Sequence, residues 1–120
     1  MSTSAAHAAA FYREAVASGT VWTVRDDGGI PAPADSSGQR AMPFWSAKSR
    51  AERVIAQVPA YVGFAVQEIP LDEFLQRWLP GLTADSLLVG LNWSGERATG
   101  YDTQPRAVAA SLRSASRGHR

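Results

Sequence analysis

The run Leu87-Leu88-Val89-Gly90-Leu91-Asn92-Trp93 is the most hydrophobic stretch of this 120-residue chain. Its branched apolar residues, with no regular polar alternation, are typical of a central β-strand that is buried on both faces. Pro80-Gly81 lies upstream of the run, and a polar loop with two glycines, residues 94–100, lies downstream. We therefore predict that the fold is built around this strand, and that Tyr101 continues the chain as a short returning strand.

Four segments around the central strand place apolar residues at the three- and four-residue spacing of an amphipathic helix. These segments cover residues 5–18, 47–58, 71–79 and 104–114. Ser46 precedes the second segment at the position where an N-cap is expected. Gly19, Pro59 and Pro80-Gly81 are expected to end the first three helices, since glycine and proline are the usual stop signals.

Three further segments predict strands. Residues 20–25 are rich in β-branched and aromatic side chains, and residues 41–45 form a short extended stretch. Residues 61–69 alternate, which predicts a strand whose core face carries Val62, Phe64 and Val66. Residues 26–40 contain prolines, glycines and serines, which indicate a loop or a poor edge strand.

The order of these elements predicts an α+β fold, because both helices and hairpins connect the strands. We expect a single small domain over residues 1–120, with a mainly antiparallel sheet of about four to five strands packed by about four helices. Residues 1–6 and 116–120 are expected to be frayed tails.

The composition excludes several classes of function. Twelve Lys and Arg residues against eleven Asp and Glu residues give a net charge of +1, which argues against nucleic acid or an anionic membrane as the partner of the whole surface. The chain has no cysteine, so disulfides, thiol nucleophiles and cysteine-bound metals are excluded. His7 and His119 both lie near the ends of the chain, so we expect neither a histidine-based metal site nor a Ser-His-Asp triad. We also find no phosphate-binding glycine motif, and we predict no cofactor.

The location of the protein is predicted from what its sequence lacks. No apolar run reaches the roughly 18 residues of a membrane helix, and residues 1–7 have neither the basic nor the apolar region of a secretory signal. We therefore expect a cytoplasmic protein with no membrane contact. The cationic residues are eleven arginines and the single Lys48, a bias that favours a bacterium with a GC-rich genome.

Two tryptophans suggest a binding surface. Trp45 and Trp93 each end a strand-like segment and precede a serine. Either they lie at a sheet edge and anchor a partner, or they pack in the core with the indole N–H bonded locally. Together with nearby aromatic and charged side chains they define a candidate ridge, which comprises Phe44, Trp45, Trp93, Glu96, Arg97, Tyr101 and Asp102.

Two classes of function fit this ridge. The first is a non-catalytic binding or adaptor domain that contacts a protein partner or a second copy, and the lack of a nucleophile paired with a base favours it. The second is a small enzyme in which Glu96, Arg97, Tyr101 and Asp102 act on a small or sugar-like substrate. A weaker alternative is an immunity-type protein or a nucleic-acid-binding protein that uses the arginines of the last helix. These arginines are also explained as solvated cations near the C-terminus of a helix, where positive charge is favoured.

Several segments together carry a resemblance to a known family. They include Val21-Trp22-Thr23-Val24, Pro43-Phe44-Trp45-Ser46 with Arg50-Ala51-Glu52, Leu71-Asp72-Glu73-Phe74-Leu75 with Trp78-Leu79-Pro80-Gly81-Leu82, Val89-Gly90-Leu91-Asn92-Trp93-Ser94-Gly95 and Ala98-Thr99-Gly100-Tyr101-Asp102. Over roughly residues 11–113, the chain resembles the bacterial domain of unknown function 2750 family. The layout is also similar, at the level of the fold, to the N-terminal domain of SseB-like proteins. The first family has no assigned activity, so this resemblance implies no catalytic residues.

Overall fold

The computed structural model describes residues 3–95 and 99–118. Its central strand is the hydrophobic run of the sequence. This strand, β4 (Leu88–Ser94), pairs in parallel with β2 (Ala41–Phe44) on one side. On the other side it pairs antiparallel with β5 (Thr99–Thr103), which confirms the predicted returning strand. Val89 and Leu91 are fully buried, as expected for a strand that is covered on both faces.

A second sheet joins β1 (Thr20–Arg25) to β3 (Ala65–Pro70) in an antiparallel pair. The two sheets meet where Trp22 and Trp45 exchange both backbone hydrogen bonds, at 2.8 and 2.7 Å. One residue along, the Thr23 hydroxyl donates to the carbonyl oxygen of Pro43 at 2.8 Å. The strands therefore follow the order β3-β1-β2-β4-β5, with one parallel pairing. The expected mainly antiparallel sheet is divided in two at this junction.

The helices occupy the predicted segments, and the described elements confirm the α+β class. Their bounds are α1 Thr3–Ser18, α2 Lys48–Gln57, α3 Leu71–Glu73, a π-helical segment Phe74–Trp78, α4 Leu79–Ala84 and α5 Pro105–Gly118, with a short 3-10 turn at Pro59–Tyr61. The first and last helices extend into the stretches expected to be frayed, while residues 1, 2, 119 and 120 lie outside the described part. Among the described helices, none is long and apolar enough to cross a membrane.

The π-helical segment departs from the sequence prediction, which ended this helix at Pro80. In a regular α-helix the proline ring clashes with the carbonyl group four residues earlier, here that of Gln76. The wider turn immediately before Pro80 relieves this clash, and the Leu79 N–H bonds to the Phe74 carbonyl oxygen, five residues back. Helical structure therefore continues through Pro80 to Ala84, and α3, the π-helical segment and α4 form one composite helix over residues 71–84.

The strand predicted at residues 61–69 begins only at Ala65. The 3-10 turn ends at Tyr61, and Gly63 takes a left-handed backbone conformation with φ of 87°, so the chain turns before it extends. Val62 was expected in the core but is 76% exposed. The strand carries the fully buried Ile69 instead.

Apolar side chains form two core clusters. The larger one packs α1, the composite helix and α5 together around Phe11, Phe44 and Phe74, whose rings lie 4.9 Å (Phe44–Phe74) and 6.4 Å (Phe11–Phe74) apart between centroids. The smaller one packs α2 against Trp45 and Trp93. Trp45 and Trp93 are therefore core residues.

Candidate functional site

The predicted ridge is only partly at the surface. Phe44 and Trp45 have no exposed area, and Trp93 is 5% exposed, so these three rings pack inside the molecule. Helix α2 covers the two indoles as part of its own core cluster, which the sequence pattern did not show. Tyr101 and Asp102 are exposed on β5, while Glu96 and Arg97 lie outside the described residues.

Both indole N–H groups are bonded within the protein. Trp45 Nε1 donates to the Trp93 carbonyl oxygen at 2.8 Å, and Trp93 Nε1 donates to Asp102 Oδ1 at 2.7 Å. Of the two alternatives for these tryptophans, the structure supports core packing with local indole bonds. Desolvation raises the pKa of Asp102, and the bond from Trp93 offsets only part of that increase. Of the predicted ridge, Trp45, Trp93 and Asp102 are therefore neighbours joined by hydrogen bonds of the indole groups.

A buried polar cluster that the sequence did not reveal lies where β2 and β4 end. Ser46 and Asn92 are 2% and 1% exposed. Asn92 Oδ1 accepts from the Ser46 backbone N–H at 3.0 Å, and its Nδ2 donates to Ser46 Oγ at 3.0 Å and to the His7 carbonyl oxygen at 3.3 Å. The Ser46 hydroxyl also donates to Glu14 at 2.8 Å. This serine therefore ties α1 to the strands, and Ala47 is the N-cap of α2 without a side-chain bond.

Asn92 has an unusual backbone for a residue within a strand. Its φ is 52°, and the register of β4 against β5 shifts between Leu91 and Ser94, which marks a β-bulge. Asparagine tolerates this left-handed conformation better than most residues. The bulge aims the Asn92 side chain at Ser46 and at α1, so the strained backbone serves the polar cluster.

Glu14 and Arg50 form the one ion pair found among the described residues, at the outer side of this cluster. Arg50 Nε and Nη2 donate to the two carboxylate oxygens of Glu14 at 2.9 and 2.7 Å, and both side chains are about 30% exposed. The hydrogen bonds from Arg50 lower the pKa of Glu14 below its ordinary value, although desolvation opposes them in part. The bidentate geometry makes this a structural link between α1 and α2.

This link predicts a pH-dependent stability. Because the pKa of Glu14 is lower in the folded than in the unfolded protein, its contribution is present above the ordinary value of 4.5 and is lost as the pH falls through the folded value. We expect Glu14→Gln to cost about 1–2 kcal/mol at neutral pH, since charged hydrogen bonds are lost. Urea unfolding at a series of pH values should show the cost shrinking as the solution becomes acidic. Arg50→Gln should remove the same pH dependence, and an undiminished cost in acid would contradict this assignment.

An apolar groove runs between α2 and β3. It holds about 310 Å³ and is lined by Glu52, Ile55, Ala56, Phe64 and Val66. Ile55, Phe64 and Val66 are half-buried, so they present apolar area to solvent. Val62, the most exposed of the large apolar residues described, lies two residues before Phe64. Val62 itself does not line the groove.

The outer edge of β3 borders this groove and is open. Leu71 N–H bonds to the Gly19 carbonyl oxygen, and the alternation of an antiparallel pair then directs the backbone groups of Ile69, Gln67 and Ala65 towards β1. The N–H and C=O groups of Val66 and Glu68 consequently point outwards. Within the described part of the chain, no hydrogen bond joins these outward groups to another residue.

An acidic hollow lies beside the start of the same strand. It holds about 490 Å³ and is lined by Arg25, Asp26, Asp27, Gly63 and Ala65. The Arg25 guanidinium donates to the Gln67 side chain at 3.1 Å, and the lining carries two carboxylates against this single cation. Neighbouring residues of a strand point to opposite faces, so Val66, which lines the groove, and Ala65, which lines the hollow, lie on the two faces of β3, with the hollow extending towards the end of β1.

Among residues 3–95 and 99–118, no group of three His, Asp or Glu side chains is placed to hold a metal ion.

The basic C-terminal segment is the exposed side of α5. Arg106, Arg113 and Arg117 face solvent, and Arg120 lies beyond the described residues. The open edge of β3, with the groove and the hollow near it, is therefore taken as the candidate recognition surface.

These features define a small α+β domain with an open strand edge. A family model for proteins of unknown function (DUF2750) matches residues 8–112, and the chain belongs to this family. That finding confirms the resemblance stated from the sequence. No curated protein matches the chain, and the fold-level similarity to SseB-like domains is not confirmed.

Proposed function

We propose that this protein is a binding domain that takes up an extended peptide segment of a partner as an additional strand beside β3. The observation that carries the proposal is the open edge at Val66 and Glu68, with the apolar groove on one face of β3 and the acidic hollow on the other face at the start of the strand. In strand addition, main-chain hydrogen bonds supply affinity and pockets for alternate side chains supply specificity. Both parts are present here.

The two cavities indicate the sequence of the partner segment. Side chains of an added strand point alternately to the two faces of the sheet. One set would enter the groove beside Ile55, Phe64 and Val66, and the other would face Asp26 and Asp27. The segment that fits best therefore alternates apolar residues with lysine or arginine.

A second copy of the chain suits this edge less well than a basic peptide. Two copies paired edge to edge would bring the same carboxylates, Asp26, Asp27 and Glu52, to both sides of the contact, and like charges repel. A bacterial source and a cytoplasmic location, both suggested by the sequence, remain part of the proposal. The enzyme alternative needs Glu96, Arg97, Tyr101 and Asp102 together; the first two lie outside the described residues, and the Asp102 carboxylate accepts a hydrogen bond from Trp93.

Fluorescence anisotropy with a short labelled peptide of alternating valine and lysine tests this function. We expect saturable binding that is at least about tenfold weaker, or about 1.4 kcal/mol, in Ile55→Lys and in Asp27→Lys, because each places a cation in one cavity. Glu68→Pro should weaken binding similarly, since it removes an outward N–H and leaves the pairing with β1 in place. A peptide of alternating valine and glutamate should not bind.

Two controls separate the edge from general charge effects. Asp85→Lys makes the same change of charge on α4, and Val62→Ser removes an exposed apolar side chain that does not line the groove. Both variants should bind the peptide like the wild type. Equal binding of the acidic peptide, or self-association in sedimentation that Glu68→Pro abolishes, would overturn the peptide assignment.

A further inference from the structure

A separate cavity lies on the composite helix, away from the β3 edge. It holds about 320 Å³, at the small end of ligand pockets, and its lining is mainly apolar. It is lined by Met42, Arg77, Trp78, Gly81, Leu82 and Asp85. The cavity opens over Gly81, where an added Cβ would meet nothing within 4 Å. We call it the Gly81 pocket.

Two opposite charges flank the Gly81 pocket along the helix. Arg77 and Asp85 line the cavity together with Gly81, one charged residue before the glycine in the chain and the other after it. Both charged side chains are exposed, and neither takes part in an ion pair among the described residues. A cation and an anion are therefore both free to bind a ligand over an apolar floor.

The aromatic wall of the pocket is held in place. Trp78 packs edge-on against Phe44, with ring centroids 5.8 Å apart, and remains half-buried. Arg77 and Trp78 belong to the π-helical segment, a distortion that recurs at functional sites because it re-aims side chains. The same distortion that accommodates Pro80 thus places both residues at this cavity.

From this arrangement we propose that the Gly81 pocket binds a small zwitterion with an apolar body, either an apolar amino acid or a short apolar peptide. The ligand carboxylate pairs with Arg77, its ammonium pairs with Asp85, and its apolar part lies on Met42, Trp78 and Leu82. Arginine is suited to a carboxylate because its guanidinium can donate two parallel hydrogen bonds. This site is independent of peptide binding at β3.

Nuclear magnetic resonance titration of the ¹⁵N-labelled chain tests the proposal, with the Trp78 indole N–H as the reporter. L-leucine and L-leucyl-L-leucine are the two probes, and the tighter of them identifies the size of the ligand. We expect a saturable shift with at least one probe. Leucine analogues that lack the amino group or the carboxylate should bind at least about tenfold more weakly, because one charge pair is lost.

Variants distinguish the pocket from unspecific contact. Arg77→Gln and Asp85→Asn should each weaken binding about tenfold, and Gly81→Leu should abolish it by filling the cavity without lowering the melting temperature. Asp27→Lys, in the acidic hollow, should bind like the wild type. No saturable shift with either probe, full affinity for an analogue with one charge, or binding retained in Gly81→Leu would overturn the proposal.

Discussion

Replacement of Asn92 by alanine is expected to lower the free energy of unfolding by about 3–4 kcal/mol, the largest effect among these predictions. The substitution leaves the buried Ser46 N–H without its acceptor and removes the donor to the His7 carbonyl oxygen. It also places a side chain with a Cβ, but no compensating polar group, at a φ of 52°. Urea unfolding followed by circular dichroism measures the loss.

A second variant separates the two causes. Asn92→Gly also lacks the polar side chain, but glycine adopts this φ without steric cost, so it should recover about 1 kcal/mol relative to alanine. Equal stabilities for the two variants would show that the backbone conformation carries no penalty. A loss below about 1 kcal/mol in both would mean that the polar cluster is not coupled to folding.

The sequence was most informative where local pattern decides structure. The hydrophobic run at β4 and the helical spacing of α1, α2 and α5 follow from period and composition alone, and the structure confirms them. The π-helical segment was missed because Pro80 is a stop signal locally, whereas packing of Leu79 and Leu82 in the core keeps the helix going. Tertiary contacts decide such cases, and they are not visible in one segment.

The candidate functional surfaces were likewise predictable only where local sequence decides them. Sequence reasoning brought Trp45, Trp93 and Asp102 together, and the hydrogen bonds between them confirm that they are neighbours. It could not show that α2 buries both rings, since this depends on how the helix docks. The β3 edge was missed for a related reason: its exposure depends on the pairing with β1, which joins residues that are far apart in the chain.

Gly90 explains why a glycine interrupts the most hydrophobic strand. A Cβ at this position would fall within the indole ring atoms of Trp93, closer than real Cβ contacts occur. The ring has little room to move, because Gly100 also lies close to it, where an added Cβ would be 3.0 Å from Trp93 Cδ1, and because its Nε1 is bonded to Asp102. We therefore expect Gly90→Ala to cost about 3 kcal/mol in the free energy of unfolding, at the upper end for overpacking.

A double-mutant cycle shows whether the indole causes this cost. In a Trp93→Phe background the smaller ring leaves room, so Gly90→Ala should cost much less than in the wild type, and the two substitutions should be non-additive. Gly81→Ala provides the matched control: its Cβ enters open space on a helix, and alanine should stabilise the protein by about 1 kcal/mol. If the two costs are additive, the strain of Gly90→Ala lies in the backbone. If they are non-additive, the strain comes from the packing of the Trp93 ring against Gly90 and Gly100.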